Sequence, residues 1–346
     1  MGLQVAVGHQ SILSVHSSGA PRANQSPAWA ECERPLCNGP MQRRHLLAAL
    51  TAPLGTMPTS PARADASGPE LASYYERHMA VLGGVAFAWS GRGQPQRVRA
   101  GVQQVGVSED ACFALLDDGR LVRWTESPDS AATLMAGVAS FACGQSGWFA
   151  VDRAQVLWQG GGTRPAPQRV ADGVAACCIG DSADYFIRRD GTLWVHGLAH
   201  RGQYGDGRLT ASPTFIQTAS DAVEVKAHTG HAVYLNRKGV VLGTGGNRFG
   251  PLGTHGLGDK ADRWGVVFDG AGVGVKALAT GSRHTLALRQ DQSLWAWGEG
   301  FVVAPRPLAD QVLAVAAGNT ATLALRASGR LLQWDGGQGP REWHLG

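Results

Sequence analysis

The side chains with the widest chemical reach in this chain are its 11 histidines and six cysteines. His228 and His231 stand three apart around a turn, with His255 and His284 further along. A zinc centre needs three or four such ligands converging as a tetrahedron. His231 and His284 instead fall in the same slot as His78 within separate copies of one segment. One slot per copy reads as a structural histidine bonded to a neighbouring turn, so no metal is expected. Cys112, Cys143, Cys177 and Cys178 lie in apolar runs without zinc-knuckle spacing. Buried, strand-packed thiols are expected; a bridge between neighbouring copies is the alternative in an oxidising compartment. No G-x-S-x-G, H-E-x-x-H or phosphate-loop signature occurs, and the glycines between Gly243 and Gly258 lack a following Lys-Ser/Thr. Carboxylates are scattered through turns. No catalytic residue and no cofactor is expected.

The elements that would position any site are strands. SRHTLALRQDQSLWAWGEG, from Ser282, holds two alternating apolar runs around a turn, and NTATLALRASGRLLQWDGG, from Asn319, repeats the pattern. Aligned on Trp297, the equivalent positions are Trp89, Trp124, Trp158, His196, Thr244 and Trp334, spaced by 35, 34, 38, 48, 53 and 37 residues. Each copy has an upstream apolar strand, beginning at His78, Ala111, Trp148, Ala183, His231, His284 and Ala321. In five copies 13 residues separate that start from the marker; the first is shorter by two and the third by three. Asp118-Gly119, Asp190-Gly191, Lys238-Gly239 and Ser328-Gly329 form the joining turns, where glycine permits positive φ. Asp291-Gln292 replaces that pair once.

A further strand precedes the later hairpins (VASFACG, VAACCIG, AVEVKAHTG, VKALATG, VLAVAAG), and the ends of the Pro-containing links supply a fourth, outer one. A lone hairpin of this kind cannot bury both faces, so the copies need neighbours. Seven antiparallel units of about 40 residues predict an all-β, seven-bladed β-propeller of four-stranded blades, because closure removes sheet edges. Ala279, Ala316 and Ala317 suit the crowded axis; Trp297 and Trp334 suit the wider space between blades. The ring is expected to close by mixing both termini in one blade, with Arg341 to Leu345 as an outer strand.

VKALATGSRHTLALRQDQSLWAWGEG resembles the repeat of the regulator of chromosome condensation family, and AHRGQYGDGRLTASPTFIQ, from Ala199 to Gln217, is similar to that family's polar loop ending in Gln-Leu-Gly. The resemblance spans about residues 75–346 and implies a seven-bladed propeller of four-stranded blades. His196 and Thr244 depart from the marker tryptophan, and Tyr204 from the usual leucine. The family's name-giver is a nuclear exchange factor for a small GTPase, so the resemblance also implies an exchange-factor-like regulator as one possible role.

The first 64 residues read differently. Residues 1–40 lack periodicity and are expected to be a disordered or mis-annotated extension. Residues 41–64 place Arg43 and Arg44 before the apolar run Leu46 to Leu54 and end in Ala62-Arg63-Ala64, the layout of a bacterial export signal, resembling the twin-arginine kind, cut before Asp65. The chain's 31 basic and 27 acidic residues include five and two in that leader, so the body carries 26 against 25. A near-neutral body argues against nucleic-acid binding. No apolar run reaches the length of a membrane span.

The leader therefore predicts a periplasmic or secreted monomer, cytoplasmic if the signal is unused. The expected function is non-catalytic binding of a protein or cell-envelope partner through loops. The alternatives are an intracellular exchange-factor-like regulator, a glycan-active enzyme and a structural scaffold. The longest links carry the candidate contacts: His200, Arg201, Tyr204 and Arg208 in one, and Arg248, Phe249, His255, Lys260, Arg263 and Trp264 in the other. Aromatic and Arg residues on loops over a rigid scaffold make contact anchors.

Overall fold

The computed structural model describes residues 68–345 except 163, 165, 254–257 and 337. They form seven four-stranded antiparallel sheets, each with its strands in chain order from one edge to the other. These blades cover residues 70–100, 102–135, 138–171, 174–219, 222–268, 275–309 and 312–344 and are numbered 1 to 7 here. The chain is an all-β, seven-bladed propeller. Both export-signal and extension readings, with Cys32 and Cys37, fall outside the described residues.

Period-two alternation builds the blades. His284–Arg289, second in blade 6, is buried at every position because a neighbouring blade covers each face. The hairpin turns have the expected left-handed residue: Gly191 has φ +91° and Gly329 +77°. Gln292 takes the same conformation at φ +66° despite its Cβ. Innermost strands such as Val275–Thr280 and Val312–Ala317 bring Ala279, Ala316 and Ala317 to an axial cavity of about 530 Å³.

The marker slot faces the preceding blade. Trp297 is fully buried between blades 5 and 6, and its indole N–H donates to the Pro251 carbonyl at 2.7 Å. Thr285, paired with Trp297 across the hairpin, also donates to that carbonyl, at 2.8 Å, and receives the His231 Nε2–H of blade 5 at 3.2 Å. His284 repeats the contact one blade on, with Nε2 3.0 Å from the Thr322 hydroxyl.

Three details of register differ from expectation. In blade 3 the residue opposite the second-strand slot of Thr285 is Gly160, paired with Trp148, so Trp158 is not the marker and aligns instead with Trp194 and Trp295. The indole has moved to the partner strand: a Cβ on Gly160 would sit 2.1 Å from the Trp148 ring. Counted from Gly147, the third copy then has the common spacing and is not shortened. In blade 1, His78 pairs with Trp89, as Thr285 does with Trp297, whereas His231 and His284 pair with Gly245 and Gly298. His78 therefore lies one residue deeper than the other two. Finally, Arg341–His344 is an outer strand, but it belongs to blade 7 alone. Among the described residues no blade mixes the two ends of the chain; blades 1 and 7 close the ring side by side. Across that seam Trp89 donates to Gln333 Oε1 at 2.9 Å, Gln333 donates to the Gly91 carbonyl at 2.9 Å, and the Tyr75 amide donates to Asn319 at 3.1 Å.

Candidate binding face

With antiparallel strands in chain order, the turn between first and second strands and the loop between third and fourth emerge at the same face. Loops 198–211 of blade 4 and 247–259 of blade 5 are therefore neighbours on one face, together with the turn 281–283 and the loop 299–305 of blade 6.

The blade 4 loop is clamped to the outer strand of blade 5, Lys260–Phe268. The Gly207 amide donates to the Asp262 carbonyl at 2.7 Å, and the Trp264 amide to Gly205 at 3.0 Å. Arg208 pairs with Asp206 at 3.1 Å, and Arg263 donates to the Asp206 carbonyl at 3.5 Å. His200, Arg201, Arg208, Lys260 and Arg263 are exposed along this seam. Two of the expected contact residues serve the fold instead. Tyr204 is fully buried; its hydroxyl donates to the Gly197 carbonyl at 2.6 Å and accepts the Ser212 amide at 2.7 Å. Trp264 is half-buried, edge-on to Tyr234 at 4.8 Å, and its indole fills the space that a Cβ on Gly205 would take.

Arg248 and Phe249 lie apart from that seam, at the border of blades 5 and 6. Phe249 is exposed, with the Arg283 guanidinium 4.1 Å and the Arg248 guanidinium 5.9 Å from its centroid. His255 lies outside the described residues. The pattern of the sequence did not single out Arg283, Val302 or Val303, which share this border; Arg283 directly before the repeated histidine was the available signal.

At the axis, a cluster unforeseen from sequence ties opposite blades. Tyr74 of blade 1 donates to Asp181 of blade 4 at 3.2 Å and stacks on His228 of blade 5, with centroids 5.6 Å apart. The Thr229 hydroxyl donates to the other Asp181 oxygen at 2.9 Å, and the Thr229 amide donates to His228 Nδ1 at 2.9 Å. Burial, reinforced by the Asp181 charge, raises the Tyr74 pKa, and burial lowers that of His228. The four cysteines are free thiols. Burial raises Cys112 and Cys143 and pushes Cys177 to about 12 and Cys178 to about 11, so none is a ready nucleophile. Among the described residues no group of three or more His, Cys, Asp or Glu is placed to hold a metal, and no helix is long and apolar enough to cross a membrane.

Residues 275–301 match the regulator of chromosome condensation (RCC1) repeat. The human E3 ubiquitin-protein ligase HERC2 is 30% identical over 135 residues, which is 38% of this chain; the chain spans about 3% of that protein's length. Among solved structures, Prp20p of Saccharomyces cerevisiae, described with its binding properties to Gsp1p and histones, aligns with a TM-score of 0.60 and 15% identity, over 72% of this chain and 80% of that one. Human WBSCR16 aligns at 0.52 and 14%, over 80% and 81%. The fold is thus an RCC1/WD40-like propeller. These comparisons correct the reading of a periplasmic or secreted protein that presents loops to a cell-envelope partner: the two solved propellers named above are intracellular, one of them described by its binding to histones. That reading rested on the leader, whereas the similarity lies in the blades.

Proposed function

We propose that the chain is a non-catalytic, protein-binding propeller of the RCC1-repeat kind that acts inside the cell as a regulator, in the manner of an exchange factor for a small GTPase. The observation that carries this reading is the seven-bladed frame with its RCC1-repeat match, similar to a propeller described as binding Gsp1p. The face bearing loops 198–211 and 247–259 supports it, since the blade 4 loop, clamped to the outer strand of blade 5, presents exposed His200, Arg201 and Arg208 beside exposed Lys260 and Arg263 of that strand. A rigid face can act on a GTPase without chemistry of its own. If it binds the nucleotide-free form more tightly, nucleotide affinity falls by the same factor.

The test has two parts. The full chain is used as bait in extracts of its source cells, and the prey are identified by mass spectrometry. Release of a fluorescent GDP analogue is then followed from each small GTPase recovered. Acceleration of release by about tenfold or more, reduced when Arg201, Lys260 and Arg263 are replaced by Ala together, supports the exchange reading. A recovered GTPase whose nucleotide leaves at its intrinsic rate rejects exchange while leaving binding in place.

A further inference from the structure

The blade 6 loop 299–305 presents apolar side chains on both flanks. Val303 is 48% exposed and packs on Gly250 of the blade 5 loop, where a Cβ would stand 3.0 Å from both its methyl groups. Phe249, beside Gly250, is 39% exposed. Val302, 36% exposed, lines a cavity of about 370 Å³ with Ala296, Phe301 and Leu308. Isolated exposed apolar residues need no explanation. Three on one loop border, Val302 at the cavity and Phe249 and Val303 on the flank towards blade 5, mark a contact surface.

The charges around this ridge fall into two kinds. Arg283 is committed: it covers the Phe249 ring and makes contacts of 2.8 and 3.0 Å with Glu299, which braces the aromatic and neutralises the cation. Arg306 borders the cavity, and Arg248 stands beside Phe249; neither has a carboxylate partner among the described residues. The ridge thus carries an uncommitted guanidinium group on each flank, Arg306 at the apolar cavity and Arg248 beside Phe249.

We propose that this ridge docks a peptide segment of a protein partner in which one aliphatic or aromatic side chain is flanked by carboxylates. The apolar side chain enters the cavity beside Val302. The carboxylates pair with Arg306 and Arg248, whose planar forks match them in two-pronged fashion. This rests on the protein-binding reading of the same face and adds the partner's chemistry to it.

The experiment uses the full chain to select from a displayed library of short random peptides, then measures the enriched peptides by fluorescence anisotropy. The expected result is enrichment of one Leu, Ile or Phe beside Asp or Glu. Arg306→Gln, Arg248→Gln and Val302→Ser should each weaken binding about tenfold, in line with the loss of one charge-assisted contact or one anchored side chain. Added salt should weaken the wild-type interaction and weaken the Arg variants less. All three positions are exposed, and an unchanged melting temperature shows that each variant is folded. Selection of basic or purely polar peptides, or no enrichment, overturns the proposal. So does binding that survives all three substitutions. Peptides lost instead with Arg201→Ala or Arg263→Ala would move the contact to the blade 4–blade 5 seam, overturning the ridge while sparing the protein-binding reading.

Discussion

At the residue scale, one slot explains the eroded repeat. Trp297, Trp89 and Thr244 occupy equivalent places, and each donates a hydrogen bond to the preceding blade: to Pro251 O at 2.7 Å, Gln333 Oε1 at 2.9 Å and Gly202 O at 2.7 Å. In these three blades the slot aims a donor across the seam, an indole in two and a hydroxyl in the third. The shorter Thr244 draws the blade 4 loop closer: a Cβ on Gly202 would come within 2.3 Å of the Ala261 carbonyl. Thr244→Val should therefore cost about 1–3 kcal/mol, the penalty for a buried acceptor left unpaired, read as a lower urea midpoint. Blade 3 solves the packing differently, with Trp148 over Gly160. Gly160→Ala should destabilise by about 1–3 kcal/mol through overpacking. In a Trp148→Ala background the same change should cost almost nothing, because the indole it strikes is gone; additive losses in that double-mutant cycle would refute the pairing.

At the element scale, the strands were legible in the sequence and the loops were not, for a physical reason. A strand between two blades alternates with period two under the constraint of its own sheet, so LALR and LWAWG declare themselves locally. The hairpin turns are equally local. Gln155 at φ +67° and Gln292 at φ +66° mark the two hairpin turns without their glycine, and Gln292→Gly should raise stability by about 0.5–1 kcal/mol, seen as a higher thermal midpoint. Loop side chains depend instead on which blade lies alongside. Tyr204 looked like a contact residue, yet Gly197 and Ser212 bury and bond it. Trp264 likewise found Tyr234. Phe249 did emerge exposed, but its neighbours Arg283 and Val303 come from 34 and 54 residues away in the chain. The slip at Trp158 has the same origin: a tryptophan in the right stretch was readable, whereas the exchange of indole and glycine between strands appears only once the strands pair.

At the scale of the whole molecule, the ring is held by seams, and several seams contain a histidine that must stay neutral. Burial lowers His78 to about 4, His231 to about 3 and His284 to about 4. His231 Nε2–H donates to Thr285, whose own proton goes to Pro251, so the neutral tautomer satisfies the contact. In the unfolded chain these imidazoles titrate near 6.5. Their folded values are depressed, so as pH falls below about 6.5 the unfolded state takes up protons that the folded ring refuses. Stability is then full above about 6.5 and declines down to the folded values near 4. Each histidine contributes a slope of at most about 1.4 kcal/mol per pH unit, and three together about 4. Denaturation midpoints between pH 7 and 4.5 should trace this decline. His231→Gln keeps an N–H for Thr285 but removes one titration, so it should flatten the slope by about a quarter, His228 being the fourth imidazole that burial lowers. An unchanged slope in that variant would mean that the acid sensitivity of the ring arises elsewhere than at the blade 5–blade 6 seam.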